Sequence, residues 1–125
     1  MTIQGEIRRF YQRLTRGWDE SDWWSLDYSF IKWITPRLKE LRKNIKGYPS
    51  SLYTKYGGEM GIQNDAIDKL AFDNWKSILD EMILGFEINT DDLEYHSGKH
   101  STDEKNIKLK KSLKLFVDWF DYLWD

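Results

Sequence analysis

The sequence predicts an all-α protein: a bundle of three long helices plus a short N-terminal helix, with a long Gly/Tyr-rich loop. Three observations carry this. Apolar residues recur at three- and four-residue spacing through four separate segments. No stretch of useful length alternates apolar and polar residues as a half-buried strand would, and no internal repeat is present. Aromatic residues make up 16% of the chain (Trp 7, Tyr 7, Phe 6), enough apolar area for a small helical core. The 125 residues fit a single helical domain, 1–125.

Glu6 to Thr15 is expected as the short helix, with Ile7, Phe10, Tyr11 and Leu14 on one side and Arg8, Arg9, Arg13 and Arg16 on the other. Gly17, Asp19 and Ser21 break the pattern. Ser21 then suits an N-cap, with Asp22 in the first turn, for a helix running to about Asn44. That segment carries two adjacent rows: Trp23, Leu26, Phe30, Trp33, Arg37, and Asp27, Ile31, Ile34, Leu38, Leu41, Ile45. Together they exceed one face, so burial on more than one side is expected. Pro36 removes a backbone donor and predicts a kink near Lys32 to Thr35.

From Asn44 to Asp65 the chain holds Gly47, Pro49, Gly57, Gly58 and Gly61 together with Tyr48, Tyr53 and Tyr56, which predicts a long loop. Ala66 to Phe86 keeps helical spacing throughout, with Asp73 as a possible restart point. Ile88 to Asp103 is acidic and polar and reads as an exposed loop. Glu104 to Trp124 closes the chain as a third long helix with Leu109, Leu113, Phe116, Val117, Phe120, Leu123 and Trp124 along one stripe.

Net charge is −2 but unevenly spread: +4 over residues 1–47, −8 over 48–104 and +2 over 105–125. A general duplex binder needs an excess of basic residues to neutralise phosphates, so nucleic-acid binding of that kind is not expected. No Cys is present, which excludes disulfides, thiolate metal sites and Cys nucleophiles. No run approaches about 18 apolar residues, and MTIQGEIRRF lacks the apolar core of a signal peptide, so no membrane is expected.

Three stretches stand out: Arg16-Gly17-Trp18 through Trp24-Ser25-Leu26-Asp27, Trp33-Ile34-Thr35-Pro36-Arg37-Leu38, and Gly47-Tyr48-Pro49, followed by Trp75-Lys76-Ser77-Ile78-Leu79 and Gly85-Phe86-Glu87. This pattern resembles a family of small proteins encoded by tailed bacteriophages and prophages. The resemblance covers roughly residues 16–87 and the aromatic C-terminal segment. It implies a helical fold, a phage origin and the cytoplasm of a bacterial host, and it brings no activity.

Phosphate-binding, dinucleotide, nucleophile-elbow and zinc-protease motifs are absent, and no cofactor is expected. His96 and His100 have metal-ligand spacing only if helical, and Gly98 between them favours solvated loop histidines. Asp80, Glu81 and Glu87 could hold a divalent metal or simply line a solvated face. Asp27 and Arg37 each interrupt an apolar row, so each needs a partner or a pocket. A binding groove is expected between the second half of the first long helix and the loop, lined by Trp33, Arg37 and Tyr48, with Lys39 and Tyr53. Arg37 would serve there as an anion fork and the aromatics as a stacking wall, or else Arg37 ties loop to helix.

The expected function is a phage-encoded, non-enzymatic binding protein. It would counteract a host defence component, either by sequestering a small anionic nucleotide or by capping a host protein through an aromatic hot spot. The alternatives are a metal-dependent nucleotide hydrolase and a virion or replication accessory protein. Trp18, Trp23, Trp24, Trp119 and Trp124 exceed what one seam hides, so a homo-oligomer, a dimer or higher, is expected.

Overall fold

Asn64 starts the helix around which the others pack. Its side-chain oxygen accepts a hydrogen bond from the Ile67 amide at 3.1 Å, and Asp65 and Asp68 sit in the first turn where the helix dipole favours negative charge. The computed structural model describes residues 2–90 and 102–124. Among these residues six helices and a closing turn follow in chain order: α1 (Ile3–Arg16), α2 (Ser21–Trp24), α3 (Leu26–Asn44), α4 (Ser50–Lys55), α5 (Asp65–Glu87), α6 (Thr102–Asp118) and a 3₁₀ turn (Phe120–Tyr122). No strand occurs among the described residues, so the all-α class expected from the spacing is what the chain adopts.

α5 packs against α3, α4 and α6. It buries Ala71, Trp75, Leu79, Met82, Ile83 and Phe86, positions three and four apart that form one continuous column. α3 answers with Ile31, Ile34 and Leu38, and α4 with Leu52. On the other side, α6 approaches through small residues. A Cβ placed on Gly85 would overlap the Lys108 carbonyl and the Ser112 hydroxyl, and Ser112 itself is fully buried. Ser112 Oγ donates to the Glu81 carbonyl at 3.3 Å. Asn89 Nδ2 donates to the Gly85 and Lys105 carbonyls at 2.7 and 3.1 Å, joining the end of α5 to the start of α6. Phe30, Phe86 and Phe116 then meet edge to face at 5.8 to 6.2 Å, locking α3, α5 and α6 together.

Several boundaries differ from the sequence expectation. The N-terminal helix begins at Ile3 because Thr2 caps it, its hydroxyl accepting from the Gly5 amide at 3.0 Å. It ends at Gly17, whose φ of 82° is the left-handed conformation glycine adopts freely. The helix expected from Ser21 is two helices, because Ser25 leaves the helical region (φ −136°, ψ 73°). An apolar rhythm running across Ser25 cannot reveal such a break. Only one of the two apolar rows is buried: Leu26 and Trp33 are exposed and Phe30 is half-buried. α3 continues through Pro36, and Thr35 Oγ1 donates to the Ile31 carbonyl at 2.6 Å. The Gly/Tyr-rich segment contains α4, entered through Pro49, whose φ of −61° suits a helix start. α5 runs through Asp73, which pairs with Lys69 and Lys76 instead of restarting the helix. The expected single C-terminal helix stops at Asp118 and tightens into the 3₁₀ turn. The histidine pair and the acidic Asp91–Glu94 run lie outside the described residues.

Because no side chain fits at Gly85, Gly85→Ala is expected to destabilise the fold by about 1–3 kcal/mol through overpacking. Urea denaturation followed by far-UV circular dichroism measures this.

Candidate functional site

α1 carries Ile3, Ile7, Phe10 and Leu14 at 4-3-4 spacing, the repeat that brings side chains onto one seam of a helix. All four are more than half exposed, and none joins the core among the described residues. The polar side of α1 is what holds it. Arg8 pairs with Glu20, Arg13 pairs with Asp19, and Gln12 Oε1 accepts from the Glu20 amide at 2.8 Å. Arg9 lies over the Trp24 ring at 5.7 Å and Arg16 over the Trp18 ring at 3.6 Å. The arginines fasten α1 to the segment that follows, and the apolar seam is left outward.

That exposed apolar surface continues along the chain through Trp18, Trp23, Trp24 and Leu26. Trp23 and Trp24 meet edge to face at 6.4 Å. Leu26 then opens a groove of about 470 Å³ between α3 and α6, walled by Phe30, Ile31, Leu109 and Leu113. Its lining is almost wholly hydrocarbon, with Asp27 at the rim.

The residues of the expected groove separate into three places. Trp33 and Arg37 are exposed on α3. The Arg37 guanidinium lies 4.2 Å from the Trp33 ring centroid and donates to the Trp33 carbonyl at 2.7 Å, one turn back along its own helix. It is therefore neither a buried charge nor a tie to the loop. Asp27 is likewise exposed, its carboxylate accepting from the Tyr28 amide at 2.8 Å. Arg37 interrupts the exposed row and Asp27 sits at the exposed N-terminal end of the buried one, so water removes the need for a buried partner at either. Lys39 faces α5 and pairs with Glu87 at 3.0 Å.

Tyr48 and Tyr53 do come together. Both line a cleft of about 540 Å³ with Met60, Ile62 and Asp68. The Tyr48 hydroxyl donates to Asp68 at 2.6 Å, and its ring meets Phe72 at 6.1 Å. The Tyr53 hydroxyl donates to the Ile62 carbonyl, and its ring fills the space a side chain at Gly58 would need. On its other side Tyr48 walls a second cleft of about 300 Å³ with Pro49, Trp75, Tyr122 and Trp124. Trp119, expected as surplus, is half-buried and packs on Trp75 at 5.5 Å.

The carboxylates proposed as metal ligands do not converge. Asp80 pairs with Arg42 at 2.9 Å, Glu81 with Lys111 at 3.5 Å and Glu87 with Lys39. Among the described residues no group of three or more His, Asp or Glu is placed to hold a metal, and no helix is long and apolar enough to cross a membrane.

No family model and no solved structure matches the chain. A curated protein of Xenopus laevis, SHC SH2 domain-binding protein 1 homolog B, is 32% identical over 117 residues. The match takes in 92% of this chain, yet the chain spans only about 16% of that protein's length.

Among the described residues, Asp19 and Tyr48 have the most strongly shifted titrations. Hydrogen bonds from the Ser21 hydroxyl and amide, with Arg13 alongside, hold Asp19 at about 2, well below its ordinary 3.8, despite opposing desolvation. Its contribution to the α1–α2 junction is complete above pH 3.8 and is lost as pH falls through about 2. Burial, reinforced by Asp68, raises Tyr48 to about 12. The contribution of its neutral hydroxyl is intact below pH 10 and is lost as pH rises through 12. Absorbance at 295 nm should show a tyrosine ionising near pH 12 that disappears in Tyr48→Phe.

Proposed function

We propose that this chain is a non-enzymatic protein-binding module whose docking surface is the apolar side of α1, the α2 tryptophans and the groove between α3 and α6. The observation that carries the reading is the exposed 4-3-4 seam of α1. A helix of 14 residues is marginal in water without packing. α1 keeps its apolar side outward and, among the described residues, is fastened through polar and cation–π contacts of its other side, so a partner covering the apolar side adds packing that the seam otherwise lacks. Trp23 and Trp24 beside it are the residue type that dominates binding energy at protein interfaces.

The name of the Xenopus protein describes binding to an SH2 domain of SHC, which supports protein binding as the class of activity. On the bacteriophage resemblance, the partner is a host defence protein. Nucleotide sequestration has less support, since Arg37 is stacked and bonded within α3 and lies apart from the Tyr48 clefts. Hydrolysis with a metal on Asp80, Glu81 and Glu87 has less still, since each is paired to a different cation.

The 4-3-4 spacing favours a second reading, in which the helix that covers α1 is α1 of a second copy in a two-fold dimer. Light scattering at micromolar concentration separates the two. A 15.1 kDa species leaves the seam for a different protein. Twice that mass, returning to 15.1 kDa in Phe10→Asp, assigns the seam to a second copy.

The experiment for the main reading is photo-crosslinking from position 10 in cells producing the chain, with position 110 on α6 as the control. Discrete protein adducts from position 10, and none from position 110, are expected. Adducts from position 110 alone overturn the docking surface. Calorimetric heat with a nucleotide, abolished by Arg37→Lys, moves the function to nucleotide sequestration.

A further inference from the structure

The two clefts on either side of Tyr48 are distinct from the α1 surface and share Gly47 and Ser50 as well as that ring. The smaller is walled by Tyr122 and Trp124, both exposed, with Pro49 and Trp75 buried beside them. Trp75 retains only 2% of its surface, and among the described residues its indole N–H meets no acceptor. A buried donor left without an acceptor is costly, and Trp75 lines this cleft, which is therefore suited to an occupant that brings an acceptor oxygen. The larger cleft carries the Asp68 carboxylate, which accepts from Tyr48 through one oxygen while the other takes no bond among the described residues.

These features select among ligand chemistries. A quaternary ammonium group would suit the aromatic walls but offers no acceptor to Trp75. A phosphate-bearing ligand would meet the Asp68 carboxylate, with Lys46 as the cation on the lining. A proline-rich segment that ends in a basic residue satisfies all three features. Its flat apolar rings pack on aromatic side chains, its carbonyls are free acceptors because its backbone makes no internal hydrogen bonds, and its extended helix is already ordered before binding. Such a helix repeats every three residues, roughly 9 Å, so it can set rings into two adjoining clefts divided by one tyrosine. A basic residue at its end would face Asp68.

We propose that the paired clefts around Tyr48 bind a proline-rich peptide segment followed by an arginine, with a peptide carbonyl accepting from Trp75 and the arginine pairing with Asp68. This site stands independently of the α1 docking surface, because no side chain assigned to one is assigned to the other.

The test is a titration of the ¹⁵N-labelled full chain with a synthetic peptide of six prolines and a terminal arginine, reading the tryptophan indole N–H signals. One buried indole signal is expected to shift downfield. Tyr122→Ala and Trp124→Ala change exposed positions, and each should weaken binding about tenfold or more. Asp68→Asn should weaken the arginine-ended peptide about threefold and leave an alanine-ended peptide unaffected. No indole shift at about 2 mM peptide overturns the proposal, as does binding unchanged in both aromatic variants. Tetramethylammonium or adenosine monophosphate shifting the same signals while the peptide does not would also overturn it.

Discussion

The close approach of α5 and α6 at Gly85 is the constraint on which the rest of the structure depends. With no side chain at that position, the Lys108 backbone and the Ser112 hydroxyl sit directly against α5. This brings Phe116 into edge contact with Phe86 and Phe30, and Trp119 into contact with Trp75. The core thus forms along one column of α5, with α3 and α4 on one side and α6 on another. A bulkier residue at 85 would separate the helices and open that aromatic cluster.

A core gathered on α5 leaves the N-terminal segment outside it. α1 is attached by Arg8–Glu20, Arg13–Asp19 and contacts of Arg9 and Arg16 with tryptophan rings. Asp19 is buried, but Arg8 and Arg13 are more than half exposed, and ion pairs that water still reaches contribute modestly to stability because water screens them and long side chains lose entropy when fixed. They do set direction. By engaging the polar side of α1, they turn Ile3, Ile7, Phe10 and Leu14 outward beside Trp18, Trp23 and Trp24. The arrangement resembles half of an interface more than the edge of a core.

Much of this was legible in the sequence, and what was not has a physical reason. The α class, the burial of Ile31, Ile34 and Leu38, and the α5 column from Ala71 to Phe86 follow from spacing alone. Spacing says that a helix is amphipathic but not what covers its apolar side. Ile7 and Phe10 therefore read as the apolar side of an amphipathic helix and Trp33 as the wall of a groove, and all three are exposed in the structure. Arg37 read as an anion fork because it interrupts an apolar row, yet that row faces water and its guanidinium turns back to Trp33. The two clefts at Tyr48 join residues from 46 to 124, a meeting of distant segments that no local pattern contains. Glycine-rich punctuation around Tyr48 and Tyr53 was the one local sign that the segment was more than a connection.

The central claim is that the apolar side of α1 is spare to the fold. The direct measurement is guanidinium denaturation of the dilute triple variant Ile7→Gln, Phe10→Gln, Leu14→Gln, which keeps good helix formers at all three positions. An unfolding free energy within about 1 kcal/mol of the parent is predicted, because substitutions away from the core change stability little. A loss of about 4 kcal/mol or more, the scale of emptying packed core positions, would contradict the account and place those side chains in the core.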